Sequence, residues 1–473
     1  MRNRLADHAR LMLIAYALLT GGLAFAAGAL APESGLDPLG DFPWITAASL
    51  VAIGSLIALS GVWTAVGMYA LVFWCFHFGL VAVLATGYVG VEDLSVWDLS
   101  WLLSPHAAEA AVVALAATFA FACGVSVVLA CRRPALTHTV PVPTPEHPAH
   151  PYGTAGSILV FGGVAMWCAI VLVTGGLGGF FVSYGEYLQA TSDYGALLGV
   201  IWLALGCGLV LSVTGTPGRF RTGAAAAFAV LSVIVLPMGL RGEVMFRGAA
   251  ALVAAARCGR VLKPAKAVAL LAALLLLIPI VREVRQTGLR GLPGAVLEPR
   301  IYEAFAEMGA SLHPVEKVVR WRAQGEPLEY GQSYWAPIER AAARLLPGLT
   351  SVAAEDDLSI ANVLVSDRVG AIGYSPVAEA YRNFGPLGVV LVFAMIGAGV
   401  AFIDRIRVRR AAVLALAIVY GPLLVNIRNS FVSVPAHCAF GIALILALAA
   451  VRHVLTSIAG SPYARPAYIR SQV

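Results

Sequence analysis

The sequence is poor in charge. Only 12% of its 473 residues are Asp, Glu, Lys or Arg, whereas a soluble globular protein carries about 25%. The mean hydropathy is +0.83, and 59% of the residues are hydrophobic. This composition excludes an ordinary soluble enzyme. It also excludes a nucleic-acid-binding protein, because the net charge of +6 is not gathered in a soluble basic domain.

Motifs for the common catalytic and metal chemistries are also missing. The seven cysteines lie in or beside apolar runs, so we expect neither a disulfide framework nor a zinc site. No glycine-rich phosphate loop and no Ser-His-Asp order occurs. The nearest approach to a paired-acid metal motif is Asp356-Asp357, which we interpret as a solvated acidic turn. We therefore expect an enzyme without cofactor or metal, in which arginines stabilise a leaving phosphate.

Long apolar runs without alternation are abundant instead. Only helices and closed barrels can cross lipid, and runs of about 20 residues have the length of a membrane-spanning helix. We predict an all-α polytopic membrane protein with about twelve spans: 11–31, 43–60, 62–87, 107–131, 155–176, 195–215, 223–240, 244–257, 267–281, 376–404, 411–427 and 435–451. The run 244–257 is the weakest of them because it is short and contains Arg247.

The positive charges orient these spans. With the N-terminus inside, the inner segments are short and carry Arg or Lys: 1–10, 132–154, 216–222, 257–266, 405–410 and 452–473. The positive-inside rule then places both termini in the cytoplasm. We interpret the chain, 1–473, as one integral membrane domain. Its segment 132–154 is rich in Pro and His, which is typical of a solvated linker.

One loop, 282–375, is much longer than the others and faces outward in this topology. Apolar residues recur at helical spacing in two places within it: Ile301, Phe305, Met308 and Leu312, and then Ile338, Ala342 and Leu345. This spacing predicts amphipathic helices lying against the membrane domain. Aromatic side chains such as Tyr334 would anchor these helices at the interface or stack on sugar rings.

Ser375-Pro376 marks the return of the chain to the membrane, because Ser is a favoured N-cap and Pro fits the first helical position. The helix that follows is longer than the roughly 20 residues needed to span the hydrocarbon. Its first two turns should therefore project from the membrane. Glu379 and Arg382 share one face of this projection, either as an interfacial ion pair or as functional groups. Gly385-Pro386 should kink the helix.

Several arginines lie near the predicted outward-facing ends of the spans, where the positive-inside rule does not expect positive charge. Their presence therefore requires an explanation. They are Arg241, Arg282, Arg285, Arg290, Arg382 and Arg428. The guanidinium group is planar and always charged, and its fork of donors matches phosphate. The set is consistent with recognition of a lipid pyrophosphate. The alternative is that the arginines pair with Glu243, Glu283 and Glu379, or with lipid head groups.

Three motifs resemble those of a known family. They are Leu240-Arg241-Gly242-Glu243 after a span, Gly373-Tyr374-Ser375-Pro376 with Glu379, Tyr381 and Asn383-Phe384-Gly385 after the long loop, and Asn426-Ile427-Arg428-Asn429-Ser430-Phe431 before the last span. With the hydropathy layout along most of the chain, they resemble the bacterial oligosaccharide repeat-unit polymerases, the Wzy-type O-antigen and capsule polymerases. The Pro/His-rich linker matches no pattern of that family.

The resemblance implies a metal-independent membrane glycosyltransferase with a GT-C-like fold. Its activity would be polymerisation of polyprenyl-pyrophosphate-linked oligosaccharide repeat units into surface polysaccharide, on the outer face of the cytoplasmic membrane. Its partners would be this lipid-linked oligosaccharide, membrane lipid, a flippase and a chain-length regulator. No nucleic acid and no cofactor is expected.

Such a transfer needs cations for the departing pyrophosphate and a group that accepts the proton of the acceptor hydroxyl. For the pyrophosphate and sugar we select Arg241, Arg382 and Arg428, then Arg282, Arg285 and Arg290, with Tyr374 and Tyr381. Glu379 is the first candidate for the base and Glu243 the second. His313 is a further candidate, although a place at the end of a loop helix suits it better.

Other functions fit part of the pattern. An O-antigen-ligase-like glycan transferase would share the layout and the chemistry and would differ in its acceptor. A polyprenyl-phosphate-sugar transferase would carry acidic residues in a long first outer loop, which is short here. A transporter or flippase for lipid-linked sugars would show two similar halves and charges at mid-span, and we find no convincing repeat.

Overall fold

The computed structural model describes residues 2–30, 36–37, 39–92, 94, 99–131, 152–261, 301–345, 357–370 and 372–458. Within these ranges every regular element is a helix, which confirms the all-α prediction. Most of the linker 132–154 and the arginines Arg282, Arg285 and Arg290 lie outside the described residues.

Seventeen α-helices follow one another along the described chain. They are α1 (Arg2–Leu30), α2 (Phe42–Ser60), α3 (Ala65–Ala85), α4 (His106–Ala130), α5 (Gly153–Gly175), α6 (Tyr184–Ala190), α7 (Gly195–Thr214), α8 (Arg219–Val235), α9 (Arg241–Arg257), α10 (Ile301–Gly309), α11 (His313–Ala323), α12 (Gln332–Leu345), α13 (Ala361–Val369), α14 (Pro376–Arg405), α15 (Arg409–Ala415), α16 (Gly421–Asn426) and α17 (Ser433–Ile458).

Nine helical stretches of the described residues are long and apolar enough to cross a membrane. They are His8–Ala29, Phe42–Ser60, Ala65–Ala85, His106–Ala130, Gly153–Phe180, Ser192–Thr214, Pro376–Arg405, Arg409–Asn426 and Ser433–Ser457. Each coincides with a span predicted from the sequence. Two other predicted spans correspond to α8 and α9, which have 17 residues each and fall short of this length. The last one, 267–281, lies outside the described residues, so the total of twelve stays a prediction.

The helix α4 lies at the centre of the larger of two hydrophobic cores and packs along α1 and α14. Small residues make this packing close. A Cβ atom on Gly124 would lie 2.0 Å from the Ala394 carbonyl oxygen, and one on Gly397 would lie 2.2 Å from that of Phe121. Small residues at such a crossing let two backbones approach, which is how helices associate in lipid.

The second core lies between α5, α7 and α8 around Trp167 and Trp202, which are both buried. Trp167 donates its indole N–H to the Tyr187 hydroxyl at 3.2 Å, so that its polar edge is satisfied inside the apolar cluster. The helix α9 joins the two cores, because its buried residues contact both.

At one end of the bundle, arginines bind the carbonyl ends of helices. Arg405 donates to the Leu129 carbonyl at 3.0 Å, and Arg257 donates to those of Ile403 and Ile406 at 2.7 and 2.8 Å. Cations stabilise the C-terminal ends of helices because unpaired carbonyls and the helix dipole make these ends negative. This is the end that the charge rule assigns to the cytoplasm.

The opposite end is formed by helices of the long loop. Both predicted amphipathic helices are present, as α10 and α12. The helix α10 lies directly on α3: a Cβ atom on Gly309 would be 2.0 Å from the Leu80 amide nitrogen, and one on Gly79 would be 2.4 Å from the Phe305 carbonyl oxygen. The loop is therefore packed against the spans.

The helix α14 begins and bends where the sequence predicts. The Ser375 hydroxyl accepts a hydrogen bond from the Val377 N–H at 3.1 Å, as an N-cap does. Gly385 has φ 67° and ψ −160°, so a break separates a first segment, 376–384, from the remainder. Residues 376–383 of the first segment are buried, and the helix packs against α11 and α12, so these two turns are covered by the loop helices.

We predict that Gly397→Leu destabilises the protein strongly, because the added side chain meets the backbone of α4. Overpacking of this kind costs about 1–3 kcal/mol or more. The matched control is Gly399→Leu, since a Cβ atom on Gly399 has no neighbour within 4 Å. The measurement is the melting temperature of both purified variants in detergent. Equal melting temperatures would contradict the close crossing of α4 and α14.

Candidate functional site

Polar and charged side chains gather around the first segment of α14, where it meets the long loop and the turn before α17. We call this group the Glu379 cluster. It comprises Glu329, Ser333, Tyr334, Tyr374, Glu379, Arg382, Asn383, Arg428, Ser430 and Phe431.

Glu379 is fully buried at the centre of the cluster. One carboxylate oxygen accepts a hydrogen bond from the Ser333 hydroxyl at 2.7 Å. The other accepts one from the Phe431 backbone N–H at 2.6 Å. Hydrogen bonds to a charged acceptor are stronger than those between neutral groups, and these two fix the plane of the carboxylate. A carboxylate has about four lone-pair sites, so capacity for another donor remains.

Arg382 pairs with a different carboxylate from the one that the sequence indicates. Its Nη2 lies 2.5 Å from Glu329 Oε1, and the side chains are only 10% and 16% exposed. The interpretation of Glu379 and Arg382 as an interfacial pair is therefore wrong: the second carboxylate comes from the loop. Burial raises the pKa of Glu329, and the charge of Arg382 opposes this shift.

The other side of Arg382 faces Tyr374, which is fully buried. Burial raises the pKa of Tyr374 well above its ordinary value, so the hydroxyl stays protonated and can donate. The hydroxyl and the guanidinium group of Arg382 lie within interaction distance of each other, yet neither Tyr374 Oη nor Arg382 Nη1 makes a hydrogen bond of normal geometry with the described residues. The charged guanidinium group of Arg382 and the neutral hydroxyl of Tyr374 are therefore adjacent donors.

A short segment of the loop, which we call the strap (residues 329–331), is bound to the break in α14. The Glu329 and Tyr330 N–H groups donate to the carbonyls of Arg382 and Asn383, at 3.3 and 2.9 Å. In a continuous helix the Arg382 carbonyl would accept from residue 386, but Pro386 has no N–H. The break thus leaves these two carbonyl oxygens without donors from their own helix, and the N–H groups of the strap donate to them instead.

Asn383 connects the strap to Glu379. Its Oδ1 accepts from the Gly331 N–H at 2.9 Å, and its Nδ2 donates to Ser333 Oγ and to the Glu379 carbonyl, both at 2.8 Å. Ser333 then donates to Glu379. Asn383 is a positioning residue, because it orients the serine that holds the carboxylate. The motif in the sequence contained Asn383 but did not indicate this role, and nothing in the sequence pointed to Ser333 or Glu329.

Arg428 reaches the cluster through the turn before α17. Its carbonyl accepts from the Tyr374 N–H at 3.3 Å. Its side chain lies over Gly373, where a Cβ atom would be 3.6 Å from Arg428 Nε. Gly373 has φ +79°, a conformation that favours glycine. Arg382 therefore lies at the Tyr374 side chain, and Arg428 lies beside the backbone of Gly373 and Tyr374.

Other predicted residues lie elsewhere. Arg241 forms a two-pronged ion pair with Glu307 of α10, one contact being 2.7 Å, and Glu243 pairs with Arg247. Among the described residues no hydrogen bond or ion pair links Arg241 or Glu243 to the Glu379 cluster. The roles proposed for them in catalysis stay predictions.

Two further candidates have structural surroundings of their own. Tyr381 lies on the opposite face of α14 from Glu379, beside Glu109 of α4. His313 begins α11 and stacks on Trp101, with ring centroids 4.8 Å apart, which agrees with the expectation that it sits at a helix end.

The acidic turn interpreted as solvated contains an ion pair. Asp357 lies 2.9 Å from Arg340 of α12, so the description of this residue as merely solvated is wrong. In the ranges that the structure covers, no three His, Cys, Asp or Glu side chains are placed to hold a metal ion.

Comparison with known proteins gives two similarities. Residues 182–457, more than half of the chain, match the family described as O-antigen polysaccharide polymerase Wzy. This range contains the whole Glu379 cluster, and the match confirms the resemblance seen in the motifs. Protein CapE of Staphylococcus aureus is 31% identical over 136 residues, which is 29% of this chain and 30% of CapE. The alignment thus covers less than a third of this relative. No solved structure shows significant similarity.

We predict that Asn383→Ala releases the strap. The Gly331 N–H would lose its acceptor, and leaving a buried donor unpaired costs about 1–3 kcal/mol, which is about fivefold to a hundredfold in the opening equilibrium. Hydrogen–deuterium exchange of the Tyr330 and Gly331 amides should therefore accelerate. Asn362→Ala is the matched control, because Asn362 bonds Asn429 and the cluster residue Ser430 and, within the described residues, makes no hydrogen bond to the strap. Unchanged exchange of the strap in Asn383→Ala would contradict this role.

Proposed function

Because the chain belongs to the O-antigen polysaccharide polymerase Wzy family, we propose that it joins polyprenyl-pyrophosphate-linked oligosaccharide repeat units into a surface polysaccharide, with the Glu379 cluster as its active site. The proposal is supported above all by buried polar atoms that lack a hydrogen bond of normal geometry: Tyr334 Oη, Tyr374 Oη, Arg382 Nη1, Glu329 Oε2 and Ser430 Oγ. Buried polar groups are nearly always paired. Several such atoms around one carboxylate indicate a place for a polar substrate.

The arginines supply the electrostatic part of the reaction. When the bond between the anomeric carbon and the pyrophosphate breaks, the electron pair leaves with the pyrophosphate and its negative charge increases. Arg382, beside the Tyr374 hydroxyl, and Arg428, beside the backbone of Gly373, would bind this charge, and Tyr374 can add a neutral donor. Donors that are already oriented need little reorganisation as the charge develops. Glu329 keeps Arg382 extended until the pyrophosphate arrives.

Glu379 supplies the proton transfer. The oxygen of the acceptor hydroxyl attacks the anomeric carbon, and its proton passes to a carboxylate oxygen of Glu379. The two existing hydrogen bonds, from Ser333 and Phe431, hold the carboxylate in one orientation. A base that is fixed in this way can align the hydroxyl for attack. No step requires a metal ion.

The location of the enzyme belongs to the same proposal. The end of the bundle with Arg257 and Arg405 would face the cytoplasm, together with both termini, and the loop 282–375 would face outward. The Glu379 cluster would then meet lipid-linked substrate on the outer face of the cytoplasmic membrane. A flippase would deliver that substrate, and a chain-length regulator would act on the product.

We predict that Glu379→Gln binds lipid-linked substrate but makes little polymer. Glutamine keeps the size of the side chain and removes the base, and loss of a general base costs about a hundredfold to ten-thousandfold in rate. Single repeat units should accumulate. The assays are polymer length on gels and substrate binding to the purified protein. Glu339→Gln is the control, an exposed carboxylate on α12. Normal chain lengths from Glu379→Gln would rule out this role and make Glu243 the leading candidate.

We predict that Arg382→Lys loses most of its polymerase activity while remaining folded. Lysine keeps the charge but cannot form the fork that bonds Glu329 and a phosphate together. The matched control is Arg368→Lys, since Arg368 pairs with Glu326 in a more exposed position at the same end. Polymer yield is measured beside elution from a sizing column. Full activity of Arg382→Lys would leave this arginine as a structural partner of the strap.

A further inference from the structure

An open groove lies on the same end of the molecule as the Glu379 cluster but on the other side of α14. It is formed by the segment before α4 and by one face of α11, and its volume is about 440 Å³. Ligand pockets commonly measure about 300–1,000 Å³. The residues on its wall include Ser100, Ser104, His106, Lys317, Arg320 and Gln324.

The polar part of this wall includes two cations. Lys317 and Arg320 both pair with Glu316, Lys317 at 3.4 Å, and Glu316 is fully buried beneath them. Two cations therefore share one carboxylate, and Arg320 keeps 32% of its side chain exposed. The other carboxylate nearby, Glu109, is engaged by His106 at 3.1 Å. Among the residues that line the groove, Lys317 and Arg320 are cations and none is a carboxylate. The groove therefore presents cationic hydrogen-bond donors at its surface, above the carboxylate of Glu316.

The groove is also connected to the active-site helix. Glu109, which holds His106, is in hydrogen-bonding contact with the Tyr381 hydroxyl. Tyr381 is two residues from Glu379, on the opposite face of the same buried segment. A helix with its side chains is on the order of 10 Å across. A saccharide of a few residues is long enough to cover this distance.

The ring of Trp101 does not contribute a stacking surface, because it is 3% exposed and already stacks on His313. Leu103 and Pro105 form an apolar part of the wall, and the polar side chains are the groups that can recognise charge and hydroxyls. Arginine presents a fork that matches a carboxylate or a phosphate, and serine and glutamine side chains suit sugar hydroxyls.

We propose that this groove, between residues 100–106 and α11, binds an acidic sugar residue of the saccharide being extended. It is a second glycan subsite, separate from the Glu379 cluster. Lys317 and Arg320 hold the anionic group of the sugar, and the hydroxyl and amide side chains hold the ring. The inference rests on the proposed function, and it adds the chemical class of the saccharide.

The test is direct binding to the purified full-length protein in phosphatidylcholine nanodiscs. The probe is a tetrasaccharide of alternating glucuronic acid and N-acetylglucosamine, and the neutral N-acetylglucosamine tetrasaccharide is its matched control. We expect the acidic probe to bind more tightly. We expect the Glu316→Gln/Lys317→Gln/Arg320→Gln variant, in which no buried charge is left unpaired, to bind it roughly tenfold more weakly. The single variant Arg320→Gln should weaken binding in the same direction if the triple variant does not fold.

Arg368→Gln, outside the groove, should bind the acidic probe as the unaltered protein does. Equal binding of the two tetrasaccharides, or equal binding by Arg320→Gln and the unaltered protein, would overturn the proposal. So would a lipid in the groove, seen as phosphatidylglycerol that is retained in native mass spectra by the unaltered protein and lost by Arg320→Gln. Binding requires no turnover, so these results are independent of whether Glu379→Gln loses polymerase activity.

Discussion

A missing N–H group determines how the site is built. Pro386 cannot donate to the Arg382 carbonyl, and Gly385 adopts a conformation outside the helix beside it. The carbonyls of Arg382 and Asn383 are thereby left open inside the protein, where an unpaired acceptor is costly. The strap satisfies them with its own amides. The docking of the long loop and the position of Glu329 and Ser333 all depend on this break.

The second constraint is the burial of charge. Glu379, Arg382 and Glu329 lie where water is largely excluded, and a buried ion that loses its partner costs several kcal/mol. Each is therefore paired or hydrogen-bonded, and each is held by residues from a different part of the chain. The result is a site in which charges are fixed before substrate arrives. Such preorganisation is what electrostatic catalysis requires, and it explains why a loop helix and a membrane helix must be assembled together.

Local features of this fold could be predicted from the sequence, because their causes are local. Ser375 caps α14 through the amide two residues later, and Gly385-Pro386 bends it through their own backbone chemistry. The period of apolar residues indicated α10 and α12 in the same way. Glu379 and Arg382 were recognised as candidates because ionisable residues near membrane ends are costly.

The partners of those residues could not be predicted, because they depend on packing. Spacing along α14 suggested Glu379 as the partner of Arg382, yet Glu329 arrives through the strap. Arg241 faces Glu307 because α10 lies on α3, a contact that follows from the close approach at Gly79 and Gly309. Ser333 carries no sequence signal at all, since any helix surface contains serines.

Arginine illustrates the same difficulty across the whole molecule. At one end, Arg257 and Arg405 bind helix carbonyls, and the Asp404 carboxylate accepts from the Ala65 and Val66 amides at the start of α3, at 3.0 Å each. These charged side chains bond the unpaired backbone groups at helix ends. Their hydrogen bonds are satisfied by the backbone and do not require a ligand. At the other end, Arg382 is buried with one nitrogen that lacks a good hydrogen bond. Charge composition treats the two kinds of arginine alike. What distinguishes them is whether the backbone already satisfies their donors, because only a cation with donors left over can bind a departing phosphate.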